Sequence, residues 1–339
     1  MPQLRMRLLS ARAGIKSLTL ITPNQDMASG GPYVIQTLAR ELAKVFEVNL
    51  VALHAAPREV EGVHVFQSPC LRPMEIPDAD AIVLYADATV AEHFACLPAS
   101  KGKRFVLFQG YGIPKNPVVI SNLRRNFPVV AVAHWLVEDA ANCGCLAAYM
   151  PCGVDRTVFY CGELDRDPRL VAMMTHTLDW KGTADGAVAL AYATSARPET
   201  RVVLFGKHNP GLPGARFVGS LPTRKEVAEL MRRVAVFVCP SWEEGFGMPG
   251  LEAMFCGAAL ATTDTKGSRD YAFDGETALV SRPKDPESLG RNIVRLLEDQ
   301  RLRDTIARRA LRFATRYYPP WDEAGFLFAK ALVSLASRG

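Results

Sequence analysis

Two glutamates, Glu244 and Glu252, flank a glycine-containing loop within residues 239–264. An apolar run ends at Pro240, polar residues and glycines follow, and a helical pattern begins near residues 248–249. A helix N-terminus attracts anions, because its backbone N–H groups have no intrahelical partner and carry the positive end of the dipole. Glycines let an anion approach the backbone closely. This segment therefore predicts a phosphate-binding loop.

The second glutamate, Glu252, lies among apolar residues of the predicted helix. A carboxylate is rarely buried there without a partner. A ribose diol is a suitable partner, because a carboxylate can accept two hydroxyl hydrogen bonds. The other interpretation is a solvated helix carboxylate, with Glu244 as an ordinary loop charge. Residue types and spacing alone leave the two interpretations about equally open.

Two more segments follow predicted strands and precede predicted helices. Lys181, in the run Trp-Lys-Gly, is placed to neutralise a diphosphate, although an ordinary surface lysine is the simpler explanation of that residue alone. The pair Gly30-Gly31 makes an anion-tolerant turn, although most Gly-Gly pairs are plain turns. Neither segment identifies a ligand without further evidence.

Strands and helices alternate along the whole chain, in two successive sets. The predicted strands are short, continuously apolar runs, which is typical of parallel strands covered by helices on both faces. They span residues 17–22, 48–53, 81–85, 104–108 and 129–133 in the first set, and 169–174, 201–205, 216–219, 234–239 and 259–263 in the second. Two such sets in 339 residues predict two doubly wound α/β domains.

The run from Glu244 to Glu252, EGFGMPGLE, resembles the E-x7-E signature of the retaining glycosyltransferases of family 4. Residues downstream also follow that family's pattern, namely Ala253-Met254, Gly257, Gly267 and Asp270-Tyr271. The resemblance implies the GT-B architecture, in which two Rossmann-like parallel-sheet domains face a central cleft. We expect an acceptor-side domain over residues 1–158, a donor-side domain over 159–318, and a C-terminal helix within 319–339 that crosses back to the first domain.

The same resemblance implies which residues contact a nucleotide-sugar donor. It assigns the ribose to Glu252, the donor sugar to Glu244 and the diphosphate to Lys181. The other implied donor contacts are Gly30, Gly31, Gly206, Val218, Gly219, Lys225, Gly245, Phe246, Gly247 and Met248. Among these, Gly30-Gly31 matches a loop that closes over the donor phosphate, and Val218-Gly219 matches the base-binding turn.

Three positions depart from the family's pattern or stand beside such a departure. His176 occupies the place of an arginine, and a neutral imidazole stabilises a leaving diphosphate less well unless the phosphates raise its pKa. Gln109 stands where many members have a histidine; it can hydrogen-bond a sugar but cannot carry a proton. His134, which follows the next strand, is a candidate to take that catalytic place, against the more usual role of a structural histidine.

Composition and terminal features limit the other function classes. The net charge of +5 comes without a basic aromatic stripe, so no nucleic-acid partner is expected. No apolar run reaches bilayer length, and residues 1–14, which lack a secretory core, read as a frayed basic tail that leaves peripheral membrane contact open. The eight cysteines lack paired C-x2-C spacing, which disfavours zinc. We expect a cytoplasmic protein, if membrane-associated then at the inner face.

The sequence thus predicts a retaining glycosyltransferase that uses a UDP-, GDP- or dTDP-linked sugar. Its acceptor is expected to be a hydroxyl of a glycan, a lipid-linked molecule or a small molecule, in the biosynthesis of glycans, cell-surface polysaccharides or glycoconjugates. The resemblance implies no metal and no cofactor beyond the donor substrate. Two alternatives stay open: a GT-B epimerase or phosphorylase, and a catalytically silent sugar-nucleotide-binding subunit, which Gln109 and His176 favour.

Overall fold

The computed structural model describes residues 2–25, 30–54, 58–86, 89–113, 115–162 and 166–338. The chain divides into two compact units. Unit 1 is Met1–Gly153 with Pro319–Gly339, and unit 2 is Val154–Tyr318. The junctions lie close to the sequence-based divisions at 158/159 and 318/319.

The regular elements of the described residues are numbered here in chain order. The strands are β1 (Ser17–Thr22), β2 (Glu47–Ala52), β3 (His64–Gln67), β4 (Ala81–Tyr85), β5 (Lys103–Phe108), β6 (Val129–Ala131), β7 (Ala147–Tyr149), β8 (Asp167–Thr175), β9 (Arg201–Gly206), β10 (Arg216–Phe217), β11 (Val234–Cys239), β12 (Ala259–Thr263) and β13 (Leu279–Ser281). The helices are α1 (Pro2–Ala13), α2 (Gly30–Ala43), α3 (Ala91–Cys96), α4 (Pro117–Leu123), α5 (His134–Asn142), α6 (Thr183–Ala196), α7 (Arg224–Arg233), α8 (Met248–Phe255), α9 (Pro286–Glu298), α10 (Gln300–Tyr317) and α11 (Trp321–Ala336).

Unit 1 is built on a parallel sheet in the order β3-β2-β1-β4-β5-β6-β7. The central strands are almost fully buried because helices cover both faces, as the continuous apolar runs predicted. Strand order reverses between β1 and β4, and ligands of doubly wound sheets bind beside the carboxyl ends of strands at such a reversal. The edge strands β3 and β7 are partly exposed, so they lack the apolar run that predicted the others.

Unit 2 repeats the plan with a parallel sheet in the order β10-β9-β8-β11-β12-β13. Its reversal lies between β8 and β11, which pair in parallel. Buried residues of α6 and α9 pack with those of β8, β11 and β12 in one hydrophobic core. The loops that follow β8 and β11 are therefore neighbours at the carboxyl edge of the sheet, and they carry Lys181 and Glu244.

The N-terminal residues form helix α1, so the prediction of a frayed basic tail is wrong. Met6 is fully buried, and Arg5 pairs with Glu323 of α11 at 2.9 Å. The Arg5 guanidinium also lies 3.8 Å from the centroid of the Phe326 ring. A partner so distant in sequence leaves no local pattern that could predict the contact.

The final helix, α11, packs within unit 1 against α1 and α2. Trp321 meets the ring of Tyr33 edge-on, with centroids 5.7 Å apart. Gly153 lies so close that a Cβ there would come within 2.6 Å of the Trp321 ring. Across the residues the structure describes, every helix is too short or too polar to cross a bilayer.

Helix α2 begins at Gly30, so the Gly30-Gly31 pair forms the start of the helix rather than a turn that precedes it. Asp80 accepts hydrogen bonds from the backbone N–H groups of Lys16 and Ser17 at 2.7 and 2.9 Å. Asp80 therefore joins β1 to the turn before β4.

Candidate functional site in unit 2

Lys181 and Glu244 meet where the loops after β8 and β11 come together. The Lys181 Nζ lies 2.9 and 2.8 Å from the two carboxylate oxygens of Glu244, and Ser241 Oγ donates to Glu244 Oε1 at 2.8 Å. Gly182, with a φ of +65°, lies so close to the Pro240 carbonyl that an added Cβ would be 2.0 Å from its oxygen. The two loops therefore hold a lysine and a carboxylate at the expected edge of the sheet.

The beginning of helix α8 is shaped by close contacts that involve glycine. Gly247 precedes the helix with a φ of +88°, and its carbonyl accepts a 2.7 Å hydrogen bond from the Tyr271 hydroxyl. A Cβ on Gly250 would lie 2.7 Å from that same hydroxyl. Phe246 is buried against the rings of Tyr271 and Tyr318, with centroids 5.4 Å away in each case. These aromatic side chains thus hold the loop in place just before α8, which begins at Met248.

Glu252 is buried, with only 4% of its surface exposed, so the solvated interpretation is wrong. Arg224, the first residue of α7, donates from Nη2 to Glu252 Oε1. Burial raises the pKa of Glu252, and Arg224 opposes that rise. The carboxylate therefore has a protein partner and can still accept further hydrogen bonds, because two oxygens offer about four acceptor positions.

Both carboxylates and the lysine affect the pKa of one half-buried thiol, that of Cys239. Burial raises the pKa of Cys239 at the end of β11, with Glu244 and Glu252 adding to the rise and Lys181 opposing it. The buried Tyr271 hydroxyl likewise has a raised pKa, caused first by burial and then by charges that include both glutamates. Lys181, Glu244 and Glu252 thus all contribute to the pKa of the thiol at the end of β11.

His176 lies directly after β8, near Lys181. Its Nδ1 accepts from the backbone N–H of Leu178 at 3.0 Å, so the neutral ring carries its proton on Nε2. Burial, followed by the charges of Lys181 and Lys207, lowers the pKa of His176, while Glu244 opposes them. The imidazole is therefore neutral at pH 7 in the ligand-free chain.

A cavity of about 420 Å³ opens beside this histidine. Its lining includes His176, Thr183, His208 and Trp242. Trp242 is held in place by its indole N–H, which donates to Asp185 Oδ2 at 2.6 Å. The volume is in the range of small-molecule sites. The cavity lies at the same edge of the sheet as Lys181.

The predicted base-binding turn lies at the end of β9 and β10. Gly206, with a φ of +134°, donates from its N–H to the Gly219 carbonyl at 2.8 Å, and Val218 donates to the Leu204 carbonyl at 2.9 Å. A Cβ on Gly206 would lie 2.1 Å from the backbone oxygen of Thr175, so this turn sits against the end of β8. Lys225 is exposed on the first turn of α7.

The remaining candidates, Gly30, Gly31, Gln109 and His134, belong to unit 1. Gln109 donates to the Gly31 carbonyl at 3.3 Å, which joins the end of β5 to the beginning of α2. A Cβ on Gly31 would lie 2.4 Å from the Tyr85 hydroxyl. His134 is exposed and stacks on the Tyr149 ring with centroids 4.0 Å apart.

Sequence reasoning gave no role at this site to Ser241 or Arg224, and it named Tyr271 only as part of the family pattern. Ser241 and Tyr271 hold the Glu244 loop and the start of α8, and Arg224 pairs with Glu252. The sequence predicts a helix over Arg224–Arg233, and the capping box of Thr223 and Glu226 confirms where α7 begins, but no local pattern links Arg224 to Glu252. Among the residues described, no cluster of three or more histidine, cysteine, aspartate or glutamate side chains could hold a metal ion.

The two parallel sheets, each with a reversal of strand order, define the class of fold. The chain resembles HepE of Anabaena, solved in complex with UDP and glucose, with a TM-score of 0.76 and 15% identity over 94% of this chain and 100% of that one. It also resembles sucrose-phosphate synthase of Thermosynechococcus elongatus, with a TM-score of 0.78 and 17% identity over 96% and 100%. At such low identity the likeness shows the fold alone, which is that of the GT-B glycosyltransferases.

Residues 164–313 match the family model described as glycosyl transferases group 1. This segment lies in unit 2 and holds Lys181, Glu244 and Glu252, so over it the chain is similar to the group 1 glycosyltransferases.

Two curated relatives match this chain over segments of domain length. One is the N,N'-diacetylbacillosaminyl-diphospho-undecaprenol alpha-1,3-N-acetylgalactosaminyltransferase of Campylobacter jejuni, 30% identical over 162 residues, which are 46% of this chain and 42% of that one. The other is the lipopolysaccharide core biosynthesis mannosyltransferase LpcC of Rhizobium leguminosarum, 28% identical over 144 residues, 42% of this chain and 39% of that one. The chain thus spans about two fifths of the length of these relatives.

Proposed function

We propose that this chain transfers a sugar, with retention of anomeric configuration, from a nucleoside diphosphate sugar to an acceptor hydroxyl in glycan or glycoconjugate biosynthesis. The observation that carries the proposal is the Lys181–Glu244 pair at the β8/β11 reversal, with hydrogen-bond distances of 2.8 and 2.9 Å, beside the glycine-led start of α8. Membership of glycosyltransferase family 4, which the resemblance of the sequence implies, is part of this proposal.

The proposed chemistry is mainly electrostatic. Negative charge grows on the diphosphate as the glycosidic bond breaks, and Lys181 and the N-terminus of α8 stabilise that charge. Glu244 holds Lys181 in place and accepts a hydrogen bond from a hydroxyl of the donor sugar. Glu252 accepts hydrogen bonds from the ribose, which fixes the nucleotide relative to the leaving group.

Retention is assigned without a protein nucleophile. In the proposed reaction the departing diphosphate oxygen stays on the face that the acceptor hydroxyl approaches, and it takes the acceptor's proton. The bond from the anomeric carbon to the diphosphate breaks as the bond to the acceptor oxygen forms on that same face. Because Lys181 and the α8 N-terminus provide the positive charge, we propose that the reaction needs no metal.

The donor and acceptor classes are proposed from the similar proteins. HepE has been solved with UDP and with UDP-glucose, which favours UDP among the candidate nucleotides over GDP and dTDP. The name of the Campylobacter jejuni relative describes a diphospho-undecaprenol-linked acceptor, which favours a lipid-linked acceptor. A lipid-linked acceptor would bring the chain to a membrane surface, and we propose the cytoplasm, at the inner face of the membrane, as its location.

The test incubates the purified chain with UDP-, GDP- and dTDP-linked sugars, with and without undecaprenyl diphosphate glycans, and follows product by NMR. The proposal expects transfer with the donor's anomeric configuration, accompanied by slow donor hydrolysis when no acceptor is present. Isomerised donor would indicate the epimerase, phosphate-dependent release of sugar 1-phosphate the phosphorylase, and binding without turnover the silent subunit. Any of these three results contradicts transferase activity.

Matched variants test the residues. Lys181→Ala and Glu244→Gln should each lower kcat about 10²–10³-fold, the usual effect of removing one transition-state contact, while nucleotide binding persists. Glu243→Gln is the control, because Glu243 is the adjacent acidic residue and pairs instead with Lys266 at 2.6 Å. Equal activity of Lys181→Ala and the control would exclude the proposed role of the lysine.

A further inference from the structure

Arg224 stands at the first position of α7, where a positive charge is electrostatically unfavourable. The capping box of Thr223 and Glu226 determines where this helix begins and so places the arginine there. A helix N-terminus carries the positive end of the dipole, so a cation in the first turn is destabilising unless it has a compensating partner. That partner is the buried carboxylate of Glu252 on α8.

The arginine is held on that carboxylate from two sides. Its Nη2 donates to Glu252 Oε1, and its guanidinium carbon lies 5.0 Å from the centroid of the Phe159 ring. Phe159 is fully buried, so the ring forms a rigid platform. The geometry leaves the carboxylate able to accept more hydrogen bonds, because Arg224 uses one oxygen.

We propose that Arg224 is a positioning residue for the nucleotide: its ion pair keeps Glu252 ionised and oriented so that the carboxylate can bind the ribose hydroxyls. This inference rests on the proposed function, since it needs Glu252 to face the ribose. Without Arg224, a carboxylate that is only 4% exposed takes up a proton rather than remaining charged and unpaired. A protonated carboxyl group accepts hydroxyl hydrogen bonds less strongly.

No histidine lies in α7, α10, β11 or β12, the elements that pack against the helix of Glu252. Burial raises the pKa of Cys256 to about 12 and raises the pKa values of Cys239 and Tyr271 further above neutrality. Strand β12 contributes only alanine, leucine and threonine. The charged and titratable residues of the two helices that pack against α8 are the arginines of α7 and α10 together with Lys225, Glu226, Glu229, Asp304 and Tyr317. A pH effect on ribose binding therefore reports on Glu252.

The test compares dissociation constants of UDP and 2′-deoxy-UDP from pH 6 to pH 9 for the full chain. Both nucleotides titrate on their phosphates in the same way, so the ratio of their constants isolates the ribose contact. Wild type should prefer UDP across this range. In Arg224→Met the preference for UDP should be about tenfold smaller at pH 6 and should return towards pH 9. The size follows because a shift of one pKa unit corresponds to a tenfold change in an equilibrium constant.

Two variants control the experiment. Arg224→Lys keeps a positive charge and should keep most of the preference at every pH. Arg233→Met removes an equal charge from the exposed last residue of α7 and should behave as wild type. If Arg224→Met fails to fold, Arg224→Met with Glu252→Gln removes the unpaired charge and should show a weak preference that no longer depends on pH.

Each result decides between the proposals. An equal loss of UDP and 2′-deoxy-UDP affinity at all pH values in Arg224→Met would overturn the inference, because Arg224 would then act on phosphate or on the fold. Equal wild-type affinity for the two nucleotides would overturn it while leaving sugar transfer intact. A wild-type chain that binds neither nucleotide, and no GDP or dTDP, would overturn the proposed function as well.

Discussion

Individual side chains at this site are held by one another before any donor arrives. Glu244 is fixed by Lys181 and Ser241, and Glu252 by Arg224. In the proposed reaction, such preorganisation reduces the reorganisation needed when charge develops on the leaving diphosphate. His176 is the exception, because burial and then the neighbouring positive charges lower its pKa and keep it neutral where the family resemblance implies an arginine.

The neutrality of His176 gives a prediction about pH. Its pKa lies below the ordinary value of 6.5, so the folded state binds a proton less readily than the unfolded state at this group. Stability from His176 is therefore fully present above pH 6.5 and is lost as the pH falls through the lower folded pKa. The melting temperature of wild type should therefore fall on acidification, and it should fall more steeply than that of His176→Gln.

Bound diphosphate should reverse this shift. Two negative phosphates beside the ring favour the charged imidazolium, so adding UDP should raise the pKa of His176 in an NMR titration, with His176→Gln identifying the signal. An unchanged titration in saturating UDP would show that this histidine does not approach the phosphates.

At the scale of elements, the loop before α8 depends on another loop that follows β12. Gly267 begins a short 3₁₀ helix, Gly267–Asp270, packed directly on the backbone of the Glu244 loop. A Cβ there would lie 2.6 Å from the Gly245 carbonyl oxygen and 2.7 Å from that of Glu244. The resemblance identified Gly267 from its position in the motif, and the structure supplies the steric reason for a glycine.

Replacing Gly267 should therefore damage the site through the backbone. Gly267→Ala must displace the Glu244 loop, and we expect a loss of about 1–3 kcal/mol of unfolding free energy, as for other overpacked sites. UDP affinity, measured by calorimetry, should fall with it. Gly162→Ala is the control, because its Cβ would meet its nearest neighbour at 3.4 Å. Unchanged UDP affinity in Gly267→Ala would separate this contact from the ligand site.

At the scale of the whole molecule, the chain forms two units and returns to the first at its end. Helix α11 completes unit 1 although it follows all of unit 2 in sequence. Phe328 of α11 is fully buried in unit 1, and Phe237 of β11 is fully buried in unit 2. These two phenylalanines report on separate cores.

Hydrogen exchange can test that separation. Phe328→Ala should remove about 3–5 kcal/mol of stability, the usual loss for a buried phenylalanine, and speed exchange in β1–β7 and α1. Phe237→Ala should have its effect in β8–β13. If either substitution accelerated exchange equally in both sheets, the two units would unfold as one.

Local patterns in the sequence were enough to predict most of the fold. Continuous apolar runs predicted the central strands, because a strand buried on both faces needs apolar side chains throughout. The motif from Glu244 to Glu252 marked the loop and helix that follow β11. The strands β3, β7 and β13 were not predicted, because short edge strands lack that run.

Only the tertiary structure decided which distant residues meet. Lys181 reaches Glu244 because β8 and β11 are neighbours at a reversal of strand order, and Arg224 reaches Glu252 because α7 packs on α8. The same holds for α1, whose buried Met6 and paired Arg5 depend on the chain's last helix. Burial and pairing arise from segments far apart in sequence, so residue types and spacing could not choose between a solvated and a buried Glu252.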